Sequence, residues 1–238
     1  MEALLYIREP MASFFTLVFP ILLLVLFGSI YGNKPSLFFG GRGTVDVSTP
    51  AYIGIIIGST ALMAIPIGLG TYRERGILRR LKATPLRPSG IIVAEIAVHY
   101  AMTFLGAALL IFTARLAYGL HFAGNPLYFF LAFSLSALSF FAVGFLVASL
   151  APTARVAYVV GMLFYFPNIF LSGATLPREM FPPTIRAVAR FVPMTHIVSL
   201  LQGLWFGDPW GKHIVEVAVL GGLLAAGAFV SALTFRWE

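Results

Sequence analysis

The chain has 238 residues, 59% of them apolar and 11% charged, with a mean hydropathy of +0.92. An ordinary soluble domain carries about 25% charged residues, so this composition excludes one and puts lipid around most of the fold. The lack of cysteine excludes disulfides, thiolate metal sites and cysteine nucleophiles. The net charge is +7, but the basic residues lie in links between apolar runs, so anionic lipid head groups, not nucleic acid, are the expected partner.

Residues 2–9 mix Leu4, Leu5 and Tyr6 with Glu2, Arg8 and Glu9 ahead of Pro10, the pattern of an interfacial helix that turns into the membrane. Six spans of about 20 residues each follow: 11–33, 51–72, 91–118, 127–150, 156–176 and 214–235. The first follows Arg8 but has no small-x-small cleavage site before Tyr31, so it reads as a retained span. The uncharged run 116–154 is too long for one crossing, and its turn cluster His121, Gly124, Asn125 and Pro126 divides spans three and four. The chain thus reads as one all-α polytopic domain over residues 1–238.

Residues 73–87 carry Arg73, Arg75, Arg79, Arg80, Lys82 and Arg87 against the single acid Glu74, which makes this loop cytoplasmic and puts both termini on the same side. As a helix it gathers Ile77, Leu78 and Leu81 on one side, with Pro85 ending it, and so suits a groove on a cytoplasmic partner. Between spans five and six, Pro182 and Pro183 start a short helix bearing Arg186 and Arg190, and Pro193 interrupts it before a second helix with Thr195 and His196. These two helices form an extracellular re-entrant or interfacial hairpin, with Ile185, Val188 and Ala189 expected against the bundle. Gly54 and Gly58 form a G-x-x-x-G that serves packing within the chain or a dimer face, and Pro20, Pro66 and Pro167 mark kinks.

Catalytic chemistry is hard to place. No span holds a central carboxylate, Asp46 being assigned to a link; Glu95 and Glu216 lie at span ends within reach of water. His99 stands one turn from Glu95 as a pairing partner, and His213 has metal-ligand spacing to Glu216 without further ligands. There is no H-E-x-x-H or G-x-S-x-G, and the stretch 207–212 falls one residue short of a phosphate-binding loop. No cofactor is expected on this chain.

Five segments resemble the permease subunit of type-2 ATP-binding-cassette exporters, the drug-resistance-like branch: Ile7-Arg-Glu-Pro10, Phe19-Pro-Ile-Leu-Leu-Leu-Val-Leu-Phe-Gly28, Tyr72-Arg-Glu-Arg-Gly-Ile-Leu-Arg-Arg-Leu-Lys-Ala-Thr-Pro-Leu86, Phe170-Leu-Ser-Gly-Ala-Thr-Leu-Pro177 and Val192-Pro-Met-Thr-His196. The resemblance implies an elbow helix (Tyr6, Ile7, Arg8, Glu9, Pro10) and a coupling helix (Arg73, Glu74, Arg75, Gly76, Ile77, Leu78, Arg79, Arg80, Leu81). It also implies two permease copies, most simply a homodimer, resting on two cytoplasmic ATPase subunits that carry the ATP and Mg. The chain itself would then be a transport subunit in the cytoplasmic membrane with no ATPase of its own. Phe14, Phe15, Met162, Phe164, Tyr165, Phe166, Asn168, Phe170 and Ser172 are the expected substrate path or dimer face, and their aromatic character favours a hydrophobic or amphipathic, drug-like or lipid-like substrate. The alternatives are export of a polysaccharide or lipid-linked glycan, or an ATP-independent channel or carrier.

Overall fold

The computed structural model describes residues 14–36, 41–77, 88–176 and 180–234. Six helices long and apolar enough to cross a membrane run through it. They are α1 (Phe14–Tyr31), α2 (Thr44–Glu74), α3 (Pro88–Tyr118), α4 (Pro126–Leu150), α5 (Ala154–Leu171) and, after the bent pair α6 (Pro183–Ala189) and α7 (Pro193–Trp205), α8 (Ile214–Thr234). The expected spans are all present. The expected elbow helix, Tyr6 to Pro10, lies outside the described residues.

Three boundaries differ from the sequence reading. Helix α2 begins at Thr44, not near residue 51, because Gly43 holds an extended N-cap conformation and Asp46 then falls in the positively polarised first turn. An aspartate therefore does lie within a span. Helix α5 stops at Leu171, short of residue 176, where Ser172 caps it and the Ser172 hydroxyl accepts from Ala174 N at 3.3 Å. Helix α3 starts at Pro88. The α1–α2 link adds a short antiparallel pair, β1 (Pro35–Ser36) with β2 (Arg42–Gly43).

Helix α2 is the axis of the bundle: α1, α3, α4, α5 and α7 all pack on it, whereas α8 lies along α4 and α7. Its sequence explains the position. Gly54 and Gly58 let Val198, Ile197 and Met194 of α7 and Tyr165 of α5 close on it, so this G-x-x-x-G serves packing within the chain and is not available as a dimer face. Half-way along, α2 widens into a π turn over Thr60–Ala64, and α1 opens with another over Phe14–Val18. The two turns face each other through hydroxyls. Thr16 Oγ1 lies 3.4 Å from both Ser59 Oγ and Thr60 Oγ1, and Thr103 Oγ1 of α3 donates to Thr60 Oγ1 at 3.1 Å. In lipid such bonds satisfy groups that water cannot reach.

We call the end of the bundle carrying the α1–α2 and α3–α4 links the hairpin end, and the other, with the α2–α3 loop and α4–α5 turn, the loop end. The hairpin end is closed by a clasp. The Asp46 carboxylate accepts from Asn33 Nδ2 and from His121 N, both at 2.9 Å, and Asn33 Nδ2 also donates to Tyr118 O at 3.3 Å. Trp205 Nε1 donates to His121 O at 3.0 Å and Arg42 stacks 3.7 Å over the Phe206 ring, which fixes the end of α7 to the same clasp.

Candidate coupling surface and translocation face

At the loop end, α2 finishes at Glu74 with Arg75 as its C-cap, and Gly76 takes φ +66°, a left-handed turn that redirects the chain. Of the nine residues expected in a coupling helix, Arg73 to Ile77 are described, and Leu78, Arg79, Arg80 and Leu81 lie outside the described residues. Arg75 is exposed. Arg73 and Glu74 are engaged within the chain: the Arg73 guanidinium donates to Ala148 O and Ala151 O at the end of α4, and Glu74 Oε1 accepts from Ala154 N, the first residue of α5, at 2.9 Å. Sequence reasoning expects Glu74 to face a partner; within the chain its neighbour is a helix N-terminus that only the fold brings near.

The aromatic residues divide by helix face. Phe14, Phe164, Phe166 and Phe170 are exposed on the outside of α1 and α5, while Tyr165 is fully buried and meets Phe15 edge-on at 6.2 Å. Met162 is half-buried. Asn168 uses both ends of its amide inside the chain, donating to Phe164 O at 2.9 Å and accepting from Met194 N at 3.2 Å, where it caps α7. Ser172 is buried. Helices α1 and α5 thus both pack on α2, meet through the Phe15–Tyr165 contact and each expose apolar side chains.

Helices α6 and α7 meet at 91°. The bend has a local cause: Pro193 starts α7, Thr195 Oγ1 donates to Ala189 O at 2.7 Å and His196 Nε2 meets Arg190 O at 3.1 Å, so residues of the second helix satisfy the last carbonyls of the first. Arg186 bonds Phe181 O at 3.2 Å, and Arg190 is exposed. Helix α7 is buried along most of its length. On α6, the expectation that Ile185, Val188 and Ala189 face the bundle holds only for Ala189; Ile185 and Val188 are exposed, because α6 stands off the bundle at the bend.

Of two further polar groupings, the first is packed inside and the second, around His213, is partly exposed. His99 Nδ1 lies 2.9 Å from Glu95 O and 3.4 Å from its carboxylate, and both residues are buried, so Glu95 sits inside the bundle and away from the water expected around it. His213 stands 3.7 Å from Asp208 and 3.8 Å from Glu216. Among the described residues there is no group of three or more ligating side chains with metal geometry. The Lys212 ammonium, donating to Asp208 at 2.8 Å, holds that carboxyl below the usual range. A depressed folded pKa gives stability above the unfolded pKa that is lost as pH falls. Asp208→Asn should therefore lower the melting temperature slightly at pH 7, and the gap from the native protein should narrow below about pH 4.

The structural residue that sequence reasoning missed is Asp46, the shared acceptor of the hairpin-end clasp. A lone acid next to an apolar run was the available signal.

Six spans, one of them sequestered at the centre, with a broken helix pair before the last, define a polytopic helical membrane protein. A match to the family described as ABC-2 type transporter covers residues 1–206, and the chain belongs to that family. The resemblance seen in its motifs is thereby borne out. Among curated relatives, "Probable multidrug ABC transporter permease YbhR" of Escherichia coli (strain K12) is 24% identical over 159 residues, 67% of this chain and 43% of that protein. "Inner membrane transport permease YhhJ" of the same organism is 26% identical over 196 residues, 79% of this chain and 52% of that protein. "Nodulation protein J" of Rhizobium leguminosarum bv. viciae is 28% identical over 226 residues, 87% of this chain and 86% of that protein. The chain spans about half the length of the two Escherichia coli permeases.

Proposed function

We propose that this chain is the membrane-spanning subunit of an ATP-driven exporter of hydrophobic or amphipathic molecules, with ATP and Mg bound by a separate cytoplasmic ATPase. In this reading the loop end faces the cytoplasm, which the basic density of residues 73–87 supports, and the hairpin end faces outward. Both termini are then cytoplasmic. Two copies of the chain and two ATPase subunits make the working unit.

The observation that carries the reading is the α1–α5 surface. The central helix is walled in by its own chain, so a path for a substrate has to form outside it, between copies, where Phe14, Phe164, Phe166 and Phe170 are presented. Such a surface offers apolar area and few hydrogen-bond groups, which suits an amphipathic substrate better than a glycan. The multidrug wording in the name of one relative points the same way.

Single cysteines at Phe14 and Phe170, in a chain that has none, provide the test. Both positions should crosslink between copies in membranes, and crosslinking should inhibit ATP hydrolysis by the complex; a cysteine at Leu233, exposed on α8, should not crosslink. Crosslinking at Leu233 and not at the other two would place the pairing face elsewhere.

A further inference from the structure

At the loop end, two neighbouring charges of α2 meet two helix ends of opposite polarity. The last carbonyls of α4 carry partial negative charge, and Arg73 donates to two of them, Ala148 O and Ala151 O. The first amides of α5 carry partial positive charge, and Glu74 accepts from Ala154 N at 2.9 Å while Thr153 Oγ1 takes Val156 N at 3.2 Å. The backbones touch beside them. A Cβ on Gly70 would lie 2.8 Å from both N and Cα of Ala154, so α2 and the start of α5 meet without an intervening side chain. Exchanging the two charges would set each against the wrong helix end.

We infer that Arg73 and Glu74 form a strut that makes the lower end of α2 and the α4–α5 turn one rigid body, so that a displacement of the loop after Gly76 is delivered to α5 and its apolar surface as well as to α2. The two are positioning residues, not partner contacts. This rests on the proposed reading that the loop docks on an ATPase, because that reading supplies the displacement.

The test uses the complex with the ATPase, reconstituted in lipid nanodiscs, with spin labels on cysteines at Gly68 of α2 and Leu163 of α5. Gly68 has open space for a side chain and Leu163 is exposed. The distance between the labels should be the same in the nucleotide-free and the vanadate-trapped complex. Adding Arg73→Met and Glu74→Ala should make it differ between the two states, and Glu74→Gln, whose amide oxygen still accepts from Ala154 N, should restore constancy. A separate pair, Glu74→Cys with Ala154→Cys, should form a disulfide that leaves ATP hydrolysis within about twofold, since each twofold step is under 1 kcal/mol. A distance that changes between states in the native strut, or a disulfide that stops hydrolysis until reduced, overturns the inference. So does loss of the ATPase on Glu74→Ala, which would make Glu74 a direct contact. If the native chain retains no ATPase, the proposed function fails by itself. The strut is then read on the chain alone: Arg73→Met with Glu74→Ala should broaden the label distances in detergent, and an unchanged distribution overturns it.

Discussion

Gly144→Ala and Gly161→Ala are each expected to lower the thermal midpoint of the purified protein by several degrees, while Gly221→Ala and Gly222→Ala leave it unchanged or raise it slightly. A Cβ at Gly144 of α4 would lie 2.1 Å from Ala61 O, and one at Gly161 of α5 would lie 2.2 Å from Leu62 O. Both oxygens belong to the π turn of α2, and both are backbone, so neither can rotate out of the way. Forcing the helices apart costs about 3 kcal/mol at the upper end of overpacking, which for a chain of this size shifts the midpoint by roughly 6–12 °C. Gly221 and Gly222 of α8 have nothing within 4 Å of the added carbon, and alanine is favoured over glycine in a helix by about 1 kcal/mol. Intrinsic tryptophan fluorescence on heating reads all four. Equal melting of Gly144→Ala and the native protein would mean that α2 and α4 do not approach as closely as described.

The second large effect is expected at Asp46. Replacing it by alanine leaves the Asn33 amide and the His121 N–H without their shared acceptor in a buried place and removes the charge that suits the first turn of α2. We expect a loss of about 3 kcal/mol and faster protease cleavage in both the α1–α2 and α3–α4 links, because the same carboxylate ties them. Asp46→Asn keeps one acceptor oxygen and should recover part of the loss. Normal melting together with normal cleavage in Asp46→Ala would show that the clasp holds nothing.

These two sites differ in how far they could be seen beforehand. The number of spans, the division at Gly124 to Pro126 and the helix break at Pro193 were legible, because uncharged length and proline act locally and need no partner. The corrected boundaries have a local signal too, but a weaker one: Gly43, Thr44 and Asp46 make an N-terminus only when hydrogen-bond donors from other elements cover the aspartate. The apolar runs hid the helix start, since six polar or small residues ahead of residue 51 read as link.

By itself, then, the sequence determined a bundle of six membrane helices, its basic loop and its family motifs, all properties of composition and order along the chain. Which helix lies at the centre was decided only by the tertiary structure, because in lipid nearly every face is apolar and burial leaves no contrast in the sequence. The same holds for Arg73 and Glu74. Their charges are plain to read, but the ends of α4 and α5 that they meet lie some 75 to 80 residues further on, and only folding brings them within hydrogen-bond reach.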